Sequence, residues 1–319
     1  MSYSTAKTAL VTGGCSGIGL ALVRHLLAKE DTKWNVIIAD INEKAYGTIS
    51  KDLDTTRTIF VPTDVSSWDS HAALFKKAFD WAPNKRIDFF AANAGIADKE
   101  IMIGPGSEYN LDTEPQKPNL ACIDVDLYGV IYGLKLFIYY TRKARQSSPE
   151  DFHPKMVITA SCVGQYPFAV APQYAAAKAA CVNFTRSTGI PALRHEGLTI
   201  NCIMPAFVVT NIMPEYLSNN WPKEFVTPLG TMMRAYDELI DVDGKVVGDG
   251  KSDGKDGVVK TAMSVECVVD RLFYRTHVEP PDESQAFLVK EATEDGVWGR
   301  GLRDYAEKMM KEIAANGGK

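Results

Sequence analysis

The sequence predicts an α/β fold built on a doubly wound, mostly parallel sheet, and three observations predict it. Short apolar runs alternate with helix-length amphipathic segments over the first two hundred residues, the runs are apolar on both faces, and no composition break divides the 319-residue chain. Parallel neighbours need a right-handed crossover, and helices on both faces leave the strands buried on both sides. One domain over 1–319 is expected, with two segments that look inserted, at 99–118 and 241–260.

The strands are expected at 8–12, 36–40, 58–62, 88–92, 156–161 and 199–204, where Val, Ile, Phe and Ala cluster. Helices are expected between them at 18–29, 43–53, 67–81, 119–144 and 174–195. The tail reads as a helix at 265–274, a strand at 286–290 and a last helix at 302–315. That gives seven strands in the order 3-2-1-4-5-6-7. The 241–260 segment carries aspartates 241, 243, 249, 253 and 256, but a calcium loop needs Glu at its twelfth position, which is Ser252. A solvated hairpin or flexible loop is expected there, with no metal.

A net charge of −5 argues against a nucleic-acid or anionic-membrane surface, and no run reaches the length of a membrane span. The start lacks the basic and long apolar regions of a signal peptide. Six cysteines are scattered without a CxxC pair, which fits buried thiols in a reducing, cytoplasmic setting.

The first expected strand runs through Thr12, Gly13, Gly14, Cys15, Ser16, Gly17, Ile18 and Gly19 into an amphipathic helix. Glycines at such a turn let backbone approach a pyrophosphate, and the unpaired N–H groups of the helix N-terminus meet its charge. Asp40 closes the second strand 21 residues after Gly19. A carboxylate there accepts from both ribose hydroxyls and repels a 2′-phosphate, so the expected cofactor is NAD rather than NADP. The other reading of Asp40 is a helix cap.

Tyr174 and Lys178 lie four apart on an expected helix and share a face. An ammonium group beside a phenol stabilises the phenolate and brings it toward use as a base. Ser161, at the end of the preceding strand, can hold a substrate oxygen.

In this order the motifs resemble the short-chain dehydrogenase/reductase family over roughly residues 7 to 215. The matching pieces are TGGCSGIG at 12–19, Asp64-Val65, Ala92-Asn93-Ala94-Gly95, Ser161, Tyr174 with Lys178, and Asn201 through Thr210. NFTRST at 183–188 and PAFVVTNIM at 205–213 look most like the NAD-dependent hydroxyprostaglandin dehydrogenases and their fungal relatives. The resemblance implies a single Rossmann-type domain in which Asp64 and Val65 hold adenine, and Asn93, Ala94 and Gly95 flank the adenosine ribose. Val208 to Thr210 would contact the nicotinamide side, with Pro205 before them, while Ile41 stands next to Asp40. It implies further that Ser161 orients a carbonyl, Tyr174 exchanges the proton, and Lys178 binds the nicotinamide ribose.

There are departures. Ala206 follows Pro205 where glycine is usual, and Ala171 stands where prostaglandin enzymes carry glutamine. The family's helix asparagine is Asp126, so Asp126 joins Ser161, Tyr174 and Lys178 as a candidate catalytic residue. The implied activity is hydride transfer between a secondary alcohol or ketone and the nicotinamide. The alternative is a dinucleotide-binding scaffold, regulator or non-redox cyclase; the intact Ser161, Tyr174 and Lys178 weigh against it and Asp126 keeps it open. Tyr109, Tyr166, Phe168, Phe207, Met213 and Trp221 could line an apolar pocket for a small hydrophobic alcohol or ketone, or serve as plain packing. The resemblance also implies a homodimer or homotetramer through the helices at 119–144 and 174–195.

Overall fold

Strand residues alternate between two apolar layers. Leu10 and Ile37 belong to one core, with Phe90, Met156, Ile158 and Ile200; Ala9, Val11, Val36 and Ile38 belong to the other, with Phe89, Val157 and Ile203. Period-two side chains on fully buried strands produce this split. The computed structural model describes residues 6–104, 111–147, 152–213 and 215–315.

The order is β1 (Lys7–Thr12), α1 (Gly17–Ala28), β2 (Trp34–Asp40), α2 (Glu43–Ile49), β3 (Thr58–Pro62), α3 (Trp68–Trp81) and β4 (Phe89–Ala92). Then come α4 (Ala121–Ile123), a π-helical stretch (Asp124–Tyr128), α5 (Gly129–Ser147), β5 (Lys155–Thr159), α6 (Pro172–Glu196) and β6 (Thr199–Pro205). The last elements are α7 (Glu215–Asn220), α8 (Leu229–Ile240), β7 (Ser264–Val268), β8 (Arg271–Arg275), α9 (Glu283–Glu291) and α10 (Val297–Ala315). The sheet order is β3-β2-β1-β4-β5-β6-β7-β8. Strands β1 to β7 pair in parallel, and β8 is antiparallel to β7. Helices α3, α5 and α6 cover one face, through Leu74, Phe137 and Val182. The other is covered by α1 and α8, through Leu22, Leu26, Met232 and Tyr236.

The expected α/β architecture and strand order are present, with corrections at the C-terminal end. The sheet has eight strands rather than seven. Residues 265–274, expected as a helix, form the β7–β8 hairpin. Their β-branched and aromatic content outweighs the apparent helical spacing, and Val269 turns the chain with φ +51°. The run at 286–290, expected as a strand, lies within α9, because Asp282 caps that helix by accepting from the Gln285 N–H at 2.8 Å. The expected helix over 119–144 is interrupted by the π-helical stretch, which contains Asp126.

The 241–260 segment has no helix, yet its polar groups are engaged. Asp241 accepts from Asp243 and Lys245 N–H at 2.9 Å each, Asp256 accepts from Val246 N–H at 2.8 Å, and buried Lys260 donates to the Gly244 and Lys255 carbonyls. It lies beside α8 and β8: Glu238 accepts from Ser252 and Leu272 N–H donates to the Lys251 carbonyl. By contact the chain forms two units, Met1–Arg275 and Thr276–Lys319. The second holds α9 and the amphipathic α10, both largely exposed.

Candidate active site

The glycine turn after β1 is held open by its neighbours. Gly13 has φ +64°, and a Cβ on Gly19 would lie 2.2 Å from the Gly13 carbonyl and 2.6 Å from Asn93 Nδ2, so neither position accepts a side chain. Asn93 stitches this turn to the segment after β4: its Nδ2 donates to the Thr12 carbonyl at 3.0 Å and its N–H donates to Thr12 Oγ1 at 3.0 Å. Ser16 makes no side-chain cap on α1, leaving that helix end to an anion. At the end of β2, Asp40 is fixed by backbone donors: Cys15 N–H to Oδ2 and Asn42 N–H to Oδ1, each 2.9 Å. Thr210 closes over the turn, its Cγ2 being 3.2 Å from where a Gly17 Cβ would sit. Glycine cradle, helix terminus and carboxylate together fit a nicotinamide dinucleotide.

The catalytic candidates meet beyond β5. Lys178, buried on α6, points its Nζ at the Thr159 carbonyl (2.8 Å) and at Asp126 Oδ2 (3.0 Å). The same Nζ lies 5.5 Å from the Tyr174 ring centroid. Ser161 accepts from Val163 N–H at 3.3 Å, and its hydroxyl is among the groups that favour the Tyr174 phenolate. Gly95 lies against the ion pair, since a Cβ there would be 3.0 Å from Asp126 Oδ2 and 3.3 Å from Lys178 Nζ.

The family described as short chain dehydrogenase matches residues 7–221. The short-chain dehydrogenase/reductase prx6 of Penicillium rubens is 31% identical over 283 residues, covering 86% of this chain and 87% of that protein. The chain is a short-chain dehydrogenase/reductase. It is therefore an oxidoreductase that acts on an alcohol or ketone with a nicotinamide dinucleotide. The 15-hydroxyprostaglandin dehydrogenase [NAD(+)] of Bos taurus is more distant, at 28% over 242 residues, 73% of this chain and 81% of that protein. Of these two relatives, the fungal one is thus the more similar to this chain. A 3-ketoacyl-(acyl-carrier-protein) reductase from Brucella melitensis complexed with NADH has the same fold, with a TM-score of 0.63 and 18% identity over 82% of this chain and 97% of that one.

Electrostatics in this dehydrogenase/reductase turn on burial. The Tyr174 phenol is pushed up by burial, drawn back by the Lys178 charge and the Ser161 hydroxyl, and pushed up again by Asp126. Burial works against the Lys178 charge, but Asp126 and then Tyr174 outweigh it and hold the ammonium protonated. Asp126 is raised by burial, with Lys178 and the Ile96 N–H (2.8 Å to Oδ1) opposing. Cys15, beside Asp40, is pushed up to about 12 by burial first and by that carboxylate second, so it is an inert thiol at neutral pH.

Other expected site residues sit at the edges of this arrangement. Ile41 is 73% exposed, and Val65 and Val208 are buried. Ile18 packs on the α1 core. Asp64 is exposed and accepts from Ser66 N–H at 2.9 Å, and Pro205 ends β6. Ala94, between Asn93 and Gly95, donates its N–H to Thr12 Oγ1 at 3.2 Å. Of the pocket candidates, Phe207 and Trp221 stack on each other with centroids 4.0 Å apart, and Tyr166 donates to Glu266 at 3.1 Å. Tyr109 lies outside the described residues.

Sequence reasoning missed Thr159 and Tyr236. The Thr159 hydroxyl donates to Asn93 Oδ1 at 3.0 Å and meets the Tyr236 hydroxyl at 2.9 Å, while its carbonyl holds Lys178. One residue thus ties the glycine turn, α8 and the lysine together. A threonine at a strand end carries no spacing motif that would single it out.

Proposed function

We propose that this enzyme transfers a hydride between NAD and a hydrophobic secondary alcohol or its ketone, with Tyr174 exchanging the proton. The observation that carries the reading is the placement of Lys178 Nζ 5.5 Å from the Tyr174 ring, where its charge and the Ser161 hydroxyl both favour the phenolate. When bound, the nicotinamide supplies or accepts the hydride. Ser161 orients the substrate oxygen; Tyr174 gives that oxygen a proton in reduction and takes it in oxidation. Lys178 supplies the positive field that favours phenolate and would hold the nicotinamide ribose. Asp40 would accept from the adenosine ribose hydroxyls. The stacked Phe207 and Trp221, after β6, favour an apolar substrate. Five buried free thiols fit a cytoplasmic setting.

The test is absorbance at 340 nm with NAD and a panel of hydrophobic secondary alcohols, repeated with NADH and the ketones. Tyr174→Phe is expected to lower the rate by about 10² to 10⁴-fold while NADH binding stays near wild type. Retention of more than a tenth of the rate, with chemistry rate-limiting, would remove Tyr174 from the role. The Asp126–Lys178 ion pair favours a second reading, a dinucleotide-binding protein without redox chemistry. NADH binding with no turnover on any alcohol or ketone would select it.

A further inference from the structure

We propose that Asp98 is the positioning residue for Tyr174: its carboxylate, reaching across from the segment after β4, caps the first turn of α6 and fixes the phenol. The proposal rests on Tyr174 as the proton carrier. Helix α6 starts without a local cap, because Ala171 has no side-chain acceptor and Pro172 has no N–H. The first two free donors of the helix are therefore the amides of Gln173 and Tyr174. Both go to one residue: Gln173 N–H donates to Asp98 Oδ2 at 3.1 Å and Tyr174 N–H to Asp98 Oδ1 at 2.6 Å.

A carboxylate at a helix N-terminus gains from both the hydrogen bonds and the helix dipole. Here the cap comes from 75 and 76 residues away, so it also joins two parts of the site. The neighbours of Asp98 do the rest of the joining. Ile96 N–H donates to Asp126 Oδ1 at 2.8 Å, the Ile96 carbonyl accepts from Cys122 Sγ at 3.2 Å, and Gly95 abuts Lys178. One short stretch, 95–98, sets both Lys178 through Asp126 and Tyr174 through its own amide. Without the Asp98 carboxylate, two N–H groups at the first turn lose their partner, the turn frays, and the phenol drifts from Lys178 and Ser161.

The experiment compares Asp98→Ala, Asp98→Asn and Tyr174→Phe in the full-length enzyme for kcat, NADH Kd, the pH profile of kcat/KM and hydrogen exchange at the Tyr174 amide. Asp98→Ala is expected to lower kcat by about tenfold to a hundredfold, the cost of misplacing a reacting group by about an ångström. NADH Kd should stay within about twofold, amide exchange at Tyr174 should quicken, and the apparent base pKa should rise as the phenol leaves Lys178. Asp98→Asn keeps one acceptor oxygen and should recover part of the rate and of the profile. An unchanged kcat and pH profile in Asp98→Ala, even with a lower Tm, would overturn the proposal. If Asp98→Ala does not fold, an unchanged kcat and profile in Asp98→Asn overturns it equally. An active Tyr174→Phe would instead bring down the reading of Tyr174 itself.

Discussion

Lys178 Nζ stands 3.0 Å from Asp126 Oδ2, with both side chains essentially shut off from solvent. The pair has a direct consequence for the phenol beside it. A lone ammonium near a tyrosine lowers the cost of phenolate, whereas an ammonium already matched by a carboxylate projects a smaller field. Asp126 therefore sits on the lysine whose charge favours the Tyr174 phenolate. Breaking the pair by deleting the lysine would strand a buried carboxylate, while removing the Asp126 charge leaves a cation still bound to the Thr159 carbonyl.

Asp126→Asn should accordingly remain active. Its apparent base pKa for alcohol oxidation is expected to fall by about 0.5 to 2 pH units, since Asp126 is among the groups that push the phenol up. Tyr174 and Lys178 titrate together, so the measured value belongs to the pair. The measurement is kcat/KM against pH with the same alcohol for both proteins. An unchanged profile makes Asp126 a bystander, and a rise shows the sign to be wrong.

Cofactor choice is expected to rest on Asp40. Held by the Cys15 and Asn42 N–H groups, its carboxylate cannot swing away from an incoming 2′-phosphate without giving up both bonds. NADH should bind at least about tenfold more tightly than NADPH, which is about 1.4 kcal/mol. Asp40→Ala should relax that preference. Equal affinities in the unaltered enzyme would end the assignment.

The legible part of the molecule was the part with local periodicity. Six buried parallel strands and their helices announce themselves by apolar runs, and TGGCSGIG, Asp40, Ser161, Tyr174 and Lys178 sit where strand ends meet helix starts. What stayed hidden depends on long-range partners. Thr159 acts through a carbonyl, which no residue type encodes, and Asp98 caps a helix 75 residues away. The missing local cap at Ala171-Pro172 was a usable hint that an acceptor had to come from elsewhere. The tail misled because 265–274 carries apolar spacing compatible with either period, and pairing with β6 decided it.

Association is expected through the α5 and α6 faces, where Ile131, Tyr139, Ile190 and Leu193 are exposed. The β8 edge of the sheet is not available for it: Leu272 N–H donates to the Lys251 carbonyl at 2.8 Å and Tyr274 N–H to Asp253 at 2.7 Å, so the 241–260 segment covers β8. Light scattering at micromolar concentration should give a dimer, and an Ile131→Glu, Ile190→Glu double variant should give a monomer. A monomeric wild-type mass would refute the assignment of this face.

Acid sensitivity should trace in part to His71. This side chain on α3 is 1% exposed, packs against Phe75 and Phe90, and among the described residues its ring nitrogens form no well-made hydrogen bond, the Val65 backbone being the one polar group that favours its charged form. Burial pushes its pKa down to about 4, opposed in part by the Val65 backbone. In the unfolded chain the ordinary value is about 6.5. The sign follows: below pH 6.5 the unfolded chain takes up a proton that the folded protein refuses, so stability present above 6.5 is lost progressively as the pH falls toward 4. The full loss is about 3 kcal/mol. Replacing His71 with Leu removes the titrating group and leaves no orphaned partner, so the variant should be within about 1 to 1.5 kcal/mol of wild type at pH 7.5. Urea unfolding of both proteins at pH 7.5, 6 and 5 makes the comparison, because carboxylates common to both cancel in the difference. The gap should shift in favour of His71→Leu at each step down. A gap that stays constant would mean that the imidazole finds a proton acceptor or water in the folded state and is not the buried neutral group described above.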